Sequence, residues 1–150
     1  MTQLFALFVS AFTSATLLPG SSELLLLALL ADGQANIMPL VLVATAGNTL
    51  GSLVNWVLGR YFAHFRNHKW FPVSARRYSQ AEAWYYKYGI WLLLMSWVPI
   101  VGDPLTVVAG TLRVGFWRFL VFVATGKLLR YSFIAGAALW WFSDGSSQPL

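Results

Sequence analysis

Apolar residues fill most of this chain in long blocks, and two of these blocks contain a short polar break. The breaks are Leu18-Pro19-Gly20-Ser21-Ser22-Glu23 and Val98-Pro99-Ile100-Val101-Gly102-Asp103-Pro104. Each break places a carboxylate four residues after a proline, inside an otherwise apolar stretch. A carboxylate in hydrocarbon is energetically costly, so such breaks indicate a binding or transport site.

The apolar runs beside the breaks are too short to cross a membrane. The run from Leu4 to Leu18 would extend about 22 Å as a helix, against a hydrocarbon core of about 30 Å. We therefore predict two re-entrant helical hairpins with the breaks at their tips, since irregular backbone is tolerated only where protein or a wet cavity covers it. The predicted break residues are Pro19, Gly20, Pro99, Gly102 and Pro104.

Each predicted hairpin is followed by one longer apolar segment, Ile37 to Leu58 and Phe116 to Phe142. Both are long enough to span as helices. The chain thus reads as an all-α membrane protein, with two re-entrant helical hairpins and two transmembrane helices in an inverted repeat. We treat residues 1–150 as a single domain. It has a first half (1–59), an interfacial linker (60–87), a second half (88–142) and a polar tail (143–150).

Small residues recur every four positions along the first spanning segment, at Gly47, Gly51, Asn55 and Gly59. The spacing puts them on one stripe of a helix. Such stripes usually allow close helix packing, with ligand contact as the alternative.

The composition supports the membrane assignment and removes several other classes. Of the 150 residues, 58% are hydrophobic and 10% are charged, and the mean hydropathy is +0.63. A soluble domain has about 25% charged residues. The lack of cysteine excludes disulfides, thiolate metal sites and cysteine nucleophiles. His64 and His68 have a metal-compatible spacing, but no third ligand is evident, so we expect no metal and no cofactor.

The net charge of +5 is best explained by membrane topology rather than by a nucleic-acid partner, because the basic residues lie mainly between apolar segments. With two re-entrant hairpins, residues 60–87 face the cytoplasm and both termini lie outside. Eight basic residues then share the cytoplasmic side: Arg60, Arg66, Lys69, Arg76, Arg77, Lys87, Arg113 and Arg118. Four fully crossing helices remain an alternative, in which Arg113 and Arg118 fall in an external loop. Aromatic residues within 60–87 suggest helices in the headgroup layer.

Several polar groups are predicted to reach similar depth. Glu23 and Asp103 lie at the hairpin tips, and Asn48 and Lys127 lie halfway along the two spans. Arg130 follows Lys127 by three residues, so both face the same way. The candidate residues for binding a phosphate headgroup are Arg113, Lys127, Arg130, Ser21, Ser22 and Asn48. The helix N-termini after each break add positive potential, and Ser21 or Ser22 is also a candidate to cap the first of these helices. A carboxylate removed from water can exchange a proton, so Glu23 and Asp103 are candidates for proton coupling. The alternative is a purely structural salt-bridge cluster.

These groups favour lipid transport by an integral membrane protein over two other functions. One alternative is a scaffold or envelope-homeostasis factor whose polar cluster only fixes the fold. The other is an intramembrane hydrolase using Ser21 or Ser96 with Lys127, although no catalytic motif calls for it. We expect membrane lipids as partners, namely a phospholipid or a polyprenyl phosphate. A homodimer is also expected, because two spans bury little surface.

The motifs together resemble the DedA family, the bacterial branch of the VTT-domain (SNARE-associated Golgi) proteins. The resemblance rests on Pro19-Gly20 with Glu23, on Gly47-x3-Gly51 with Leu58-Gly59-Arg60, and above all on Ser96 to Pro104 followed by Ala109-Gly110 and Arg113. It implies a bacterial inner-membrane protein with two facing re-entrant hairpins. It also implies movement of lipid phosphates such as undecaprenyl phosphate or phospholipids, coupled to protons.

The chain departs from the family pattern at two positions. Typical members carry an arginine three residues before the central proline and another three after it, and here these positions are Ser96 and Gly102. Either Arg113, Lys127 and Arg130 supply the missing positive charge, or the substrate differs.

Overall fold

The computed structural model describes residues 2–15, 20–33, 36–62, 73–98 and 101–145. All regular elements in these ranges are helical. They are α1 (Thr2–Ser14), α2 (Ser21–Ala31), α3 (Ile37–Phe62), α4 (Ala75–Tyr88), a 3₁₀ helix (Gly89–Trp97), α5 (Gly102–Thr111) and α6 (Phe116–Gly145).

Two of these helices, α3 and α6, are long and apolar enough to cross a membrane. The qualifying segments are Ile37–Tyr61 and Phe116–Ser143, with 25 and 28 residues. Both predicted spans are confirmed by length and composition. Helix α6 continues to Gly145, three residues into the predicted polar tail. Large apolar side chains on both helices point outward, including Leu42, Leu129 and Phe133. Such exposure is typical of a surface covered by lipid or by a partner.

The remaining helices near the breaks are short, with 13, 11, 9 and 10 residues in α1, α2, the 3₁₀ helix and α5. A spanning helix needs about 20 residues. Helix α1 packs on α3 and α2 packs on α6, while the 3₁₀ helix packs on α6 and α5 packs on α3. In each half, therefore, the first short helix packs on the long helix of its own half, and the second contacts the long helix of the other half.

The small-residue stripe of α3 brings α1 against it. A Cβ atom at Gly47 or at Gly51 would lie 2.5 Å from a backbone carbonyl oxygen of α1. Asn55 completes this contact, because its Nδ2 donates to the Ala15 carbonyl oxygen at 2.8 Å. The prediction of close helix packing is confirmed.

Helices α3 and α5 meet even more closely, through glycines on both sides. A Cβ atom at Gly59 would overlap with the Val107 carbonyl oxygen, and one at Gly110 would overlap with the Trp56 carbonyl oxygen. The backbones touch here, which fixes α5 of the second half against the long helix of the first.

Helix α4 packs across the second half of the protein. The hydroxyls of Tyr78 and Thr111 form a 2.6 Å hydrogen bond, and both Tyr78 and Ala81 are buried. Gly89, with φ of +65°, then turns the chain into the 3₁₀ helix. His64 and His68 lie outside the described residues.

The two breaks differ from prediction in detail. Gly20 is the N-cap of α2 in a left-handed conformation (φ +93°), and neither Ser21 nor Ser22 caps the helix, so that prediction is wrong. Helix α5 begins at Gly102, earlier than expected. Pro104 therefore lies in the first turn of α5 rather than in the break, at a position where the missing N–H of proline removes no helical hydrogen bond. Pro19 and Pro99 lie outside the described residues.

Candidate functional site

A buried lysine holds three helices together near the middle of the protein. Lys127 of α6 is only 2% exposed, and its Nζ donates to Asn48 Oδ1 of α3. Asn48 Nδ2 in turn donates to the Ala11 carbonyl oxygen of α1 at 2.9 Å. Both Lys127 and Asn48 fall near the middle of their spanning segments. The amide thus supplies one acceptor to the ammonium group and orients it within the bundle.

The charge of Lys127 is balanced from the second break. Asp103, in the first turn of α5, interacts electrostatically with Lys127. Both residues line a small cavity of about 10 Å³ between the helices, which we call the polar cavity. This volume is about that needed for one water molecule. The cavity is lined by Ser14, Ala15, Gly20, Asn48, Ser96, Val98, Asp103, Lys127 and Arg130.

Ser96 contributes a buried hydroxyl to the polar cavity. It is 2% exposed, and its Oγ has no hydrogen-bond partner within the described part of the chain. Gly102 lies directly against it, since a Cβ atom at Gly102 would overlap with the Ser96 carbonyl oxygen. The two positions that carry arginine in typical DedA members are therefore in backbone contact here, and Gly102 has no room for a side chain.

The second basic residue of α6 has a different partner. Arg130 forms an ion pair with Glu23 of α2, and the two side chains are 11% and 24% exposed. Arg130 lines the polar cavity on one side. On the other side it lines a larger cavity of about 670 Å³, which we call the apolar groove. The apolar groove is lined by Glu23, Leu94, Trp97, Leu129, Arg130, Phe133 and Ile134.

Helix α2 contributes a further buried contact that sequence reasoning missed. Ser22 Oγ and the Tyr131 hydroxyl form a 2.8 Å hydrogen bond, and both residues are fully buried. Tyr131 follows Lys127 by four residues, so it shares a helical face with it. That spacing could have marked Tyr131 as part of the polar cluster.

Three predicted site residues line neither cavity, namely Arg113, Ser21 and Ser22. Arg113 is exposed in the turn after α5, with φ of +55°. The intervening helix α5 separates it from Asp103 by about 15 Å along the axis. Ser21 lines neither the polar cavity nor the apolar groove, and its Oγ lies 3.5 Å from Ser10 Oγ. The structure therefore brings together Asn48, Asp103, Lys127 and Arg130 at one cavity, with Glu23 joined through Arg130.

The geometry also bears on the hydrolase alternative. A serine–lysine pair requires a hydrogen bond from the nucleophile to its base. Ser96 and Lys127 line the same cavity, but the ammonium donates to Asn48, and Ser96 Oγ is unpaired among the described residues. The described residues also contain no group of three or more histidine, cysteine or acidic side chains that could hold a metal.

The fold and this cluster define a helical membrane protein with charged groups enclosed between its long and short helices. Residues 18–138 match the VTT domain. The chain is 43% identical over 142 residues to inner membrane protein YqaA of Escherichia coli (strain K12), covering 92% of this chain and 95% of the relative. It is 39% identical over 136 residues to a Haemophilus influenzae protein, covering 83% and 80%. It is 24% identical over 102 residues to undecaprenyl phosphate transporter A of Staphylococcus aureus, covering 63% and 50%. No solved structure matches the chain.

The chain therefore belongs to the VTT-domain, or DedA, family. It is a bacterial inner-membrane protein, as its resemblance to the family implied.

Proposed function

We propose that this protein moves a phosphate-bearing lipid across the inner membrane. The observation that carries the proposal is the position of Arg130, which lines both the polar cavity inside the bundle and the apolar groove beside it. A lipid has the same two parts, an anionic headgroup and a hydrocarbon chain. The groove can hold the chain while Arg130 meets the headgroup.

The charged groups around Arg130 suit a phosphate. The planar guanidinium binds phosphate oxygens through two parallel hydrogen bonds. Lys127 lines the same cavity and adds to its positive potential. Gly20, the N-cap of α2, lines the same cavity, so the positive end of that helix also points toward it.

In the present conformation the polar cavity is too small for a phosphate group, because about 10 Å³ accommodates only a water molecule. Headgroup binding therefore requires Arg130 to exchange the Glu23 carboxylate for the phosphate. Protonation of Glu23 would weaken this ion pair and favour the exchange, which couples lipid binding to proton uptake. Asp103 and Lys127 place a second carboxylate and a second cation at the same cavity.

The architecture supports a transporter with an inverted repeat. All four short helices are too short to span the membrane. In each half the second short helix packs on the long helix of the other half. We infer that these helices form two re-entrant hairpins related by the repeat. The relative named undecaprenyl phosphate transporter A supports a lipid phosphate as the substrate class.

In a scaffold protein the same polar cluster would only stabilise the fold. The burial of Lys127 favours such a structural role for that residue. Transport and scaffold functions differ in what they predict for Arg130, which is accessible from the groove.

The test is lipid movement in proteoliposomes. The purified protein is reconstituted into vesicles that contain either fluorescent phosphatidylglycerol or a short fluorescent polyprenyl phosphate. Movement of the probe from the inner to the outer leaflet is measured as its loss of fluorescence to a quencher added outside. We expect faster exchange than in protein-free vesicles, and its loss in Arg130→Met. Arg118→Met is the matched control, since Arg118 is exposed on the same helix and lines neither cavity. Exchange at the protein-free rate with both probes would contradict the proposal.

A further inference from the structure

A second groove lies between α4 and the second break, and it shares no lining residue with the polar cavity or the apolar groove. It consists of two adjoining cavities that share Trp84 and Val101. The smaller one, about 110 Å³, is lined by Arg77, Gln80, Ala81, Trp84, Val101 and Pro104. The larger one, about 460 Å³, is lined by Trp84, Tyr88, Trp91, Leu92, Met95 and Val101. We call the two together the α4 groove.

The chemistry of the α4 groove changes from one end to the other. Arg77 and Gln80 supply a cation and an amide at the first end. No carboxylate pairs with Arg77 among the residues that the structure describes. The second end is aromatic and apolar, and Trp91 and Met95 remain exposed there. A charged end followed by an apolar channel complements an amphiphile with an anionic head and a hydrocarbon chain.

The floor of the α4 groove is the second break itself. Val101 and Pro104 line it, and Asp103 between them lines the polar cavity. Helix α4 is held in place by the hydrogen bond between Tyr78 and Thr111. A molecule bound in the groove would therefore press against the same segment that carries Asp103.

We propose that the α4 groove binds an anionic phospholipid, with its phosphate at Arg77 and one acyl chain along Trp84 and Trp91. This lipid is an accessory ligand and not the transported one. The inference rests on groove geometry alone and holds whether or not the protein transports lipid.

The experiment is native mass spectrometry of the full-length protein in detergent, titrated with phosphatidylglycerol or phosphatidylcholine. All titrations use the Arg130→Met background, which removes the proposed transport site. We expect tighter binding of phosphatidylglycerol. Arg77→Gln should weaken that binding about tenfold, which corresponds to about 1.4 kcal/mol, because it removes the charged partner of the phosphate. Arg76→Gln is the matched control, because it removes the same charge one residue away and does not line the groove.

A third variant tests the chain end of the site. Trp84→Ala should weaken binding of both lipids, with phosphatidylglycerol still preferred. The proposal is overturned if Arg77→Gln and Arg76→Gln have the same effect, which would indicate only a general attraction of anionic lipid to a basic surface. Equal binding of the two lipids by the Arg130→Met protein would overturn it as well.

Discussion

Lys127 and Arg130 lie three residues apart on one face of α6, yet their surroundings indicate different roles for them. Lys127 is enclosed and has Asn48 and Asp103 as partners. Arg130 faces the apolar groove and pairs with a partly exposed carboxylate. A fully enclosed charge cannot reach a ligand without a large rearrangement, whereas a charge at the edge of a cavity can exchange partners. We therefore assign stability mainly to Lys127 and ligand contact mainly to Arg130.

Replacing Arg130 by lysine separates charge from geometry. Arg130→Lys keeps the positive charge but loses the guanidinium fork, so a phosphate-binding role predicts a marked loss of lipid exchange while the thermal unfolding midpoint in detergent stays close to that of the wild type. If the Arg130–Glu23 ion pair is only structural, lipid exchange by Arg130→Lys should be close to that of the wild type. Full exchange by Arg130→Lys, or by a stable Lys127→Met and Arg130→Met double variant, would refute the role in binding.

Asn48 and Lys127 should be energetically coupled. Asn48→Leu leaves the buried ammonium without its amide acceptor, which is expected to lower the free energy of unfolding by about 1–3 kcal/mol. Lys127→Met should also destabilise, because it leaves Asp103 without its positive partner. The double variant should lose less than the sum of the two single variants, since the residues are in contact. The measurement is denaturant unfolding in detergent, and strict additivity would indicate that the contact contributes nothing.

At the scale of the elements, glycines decide how closely the helices approach. Gly59 and Gly110 let α3 and α5 touch through their backbones, which fixes α5, with Asp103 in its first turn, against α3. In a membrane the apolar surface of a helix gains little by leaving lipid, so association depends on this kind of close van der Waals contact. The glycines are thus a means of positioning Asp103.

A pair of glycine-to-alanine variants tests this role. Gly59→Ala should destabilise the protein by about 1–3 kcal/mol or more, because the added methyl meets a backbone carbonyl that cannot move aside. Gly136→Ala in α6 is the control, since nothing lies within 4 Å of a Cβ there. By helix propensity it should be neutral or stabilising by up to about 1 kcal/mol. Equal thermal unfolding midpoints for the two variants would contradict the packing argument.

The features that the sequence predicted well are local ones. The lengths of α3 and α6, the stripe from Gly47 to Gly59, and the shared face of Lys127 and Arg130 all follow from apolar length and helical periodicity. The partner of each charge does not, because Asn48 and Lys127 are 79 residues apart and meet only through the packing of α3 on α6. The charge of Arg113 alone suggests a place in the site, although the ten residues of α5 carry it away from Asp103.

The second break shows the same limit at the level of backbone conformation. Proline is a helix breaker in an interior but is favoured in a first turn, so Pro104 alone could not indicate whether the break ended before or after it. At the start of α5 the Gly102 N–H donates to the Val98 carbonyl oxygen at 2.9 Å, and Gly102 lies against the Ser96 backbone, a chain conformation that the position of the proline does not indicate.

For the whole molecule, the crossed packing of the short helices ties the two halves into one bundle. Helix α2 contacts α6 and α5 contacts α3, so neither half contains a complete polar cavity. Residues from α1, α3, α5 and α6 line that cavity together. If the protein is the transporter we propose, a movement of one half relative to the other would therefore change the size of this cavity.

Membrane topology distinguishes re-entrant hairpins from fully crossing ones, and three single-cysteine variants decide between them. The chain has no native cysteine. In both arrangements Asp32→Cys lies outside and Ser79→Cys lies in the cytoplasm, so these exposed positions calibrate the labelling. Gly115→Cys, exposed between α5 and α6, is cytoplasmic only if the second hairpin is re-entrant. The positive-inside rule favours that side, because Arg113 and Arg118 flank the position.

We expect a membrane-impermeant maleimide to label Asp32→Cys in intact spheroplasts and to label Ser79→Cys and Gly115→Cys only after permeabilisation. Labelling of Gly115→Cys from outside would show that the second hairpin crosses the membrane, and the inverted repeat of re-entrant hairpins would have to be abandoned.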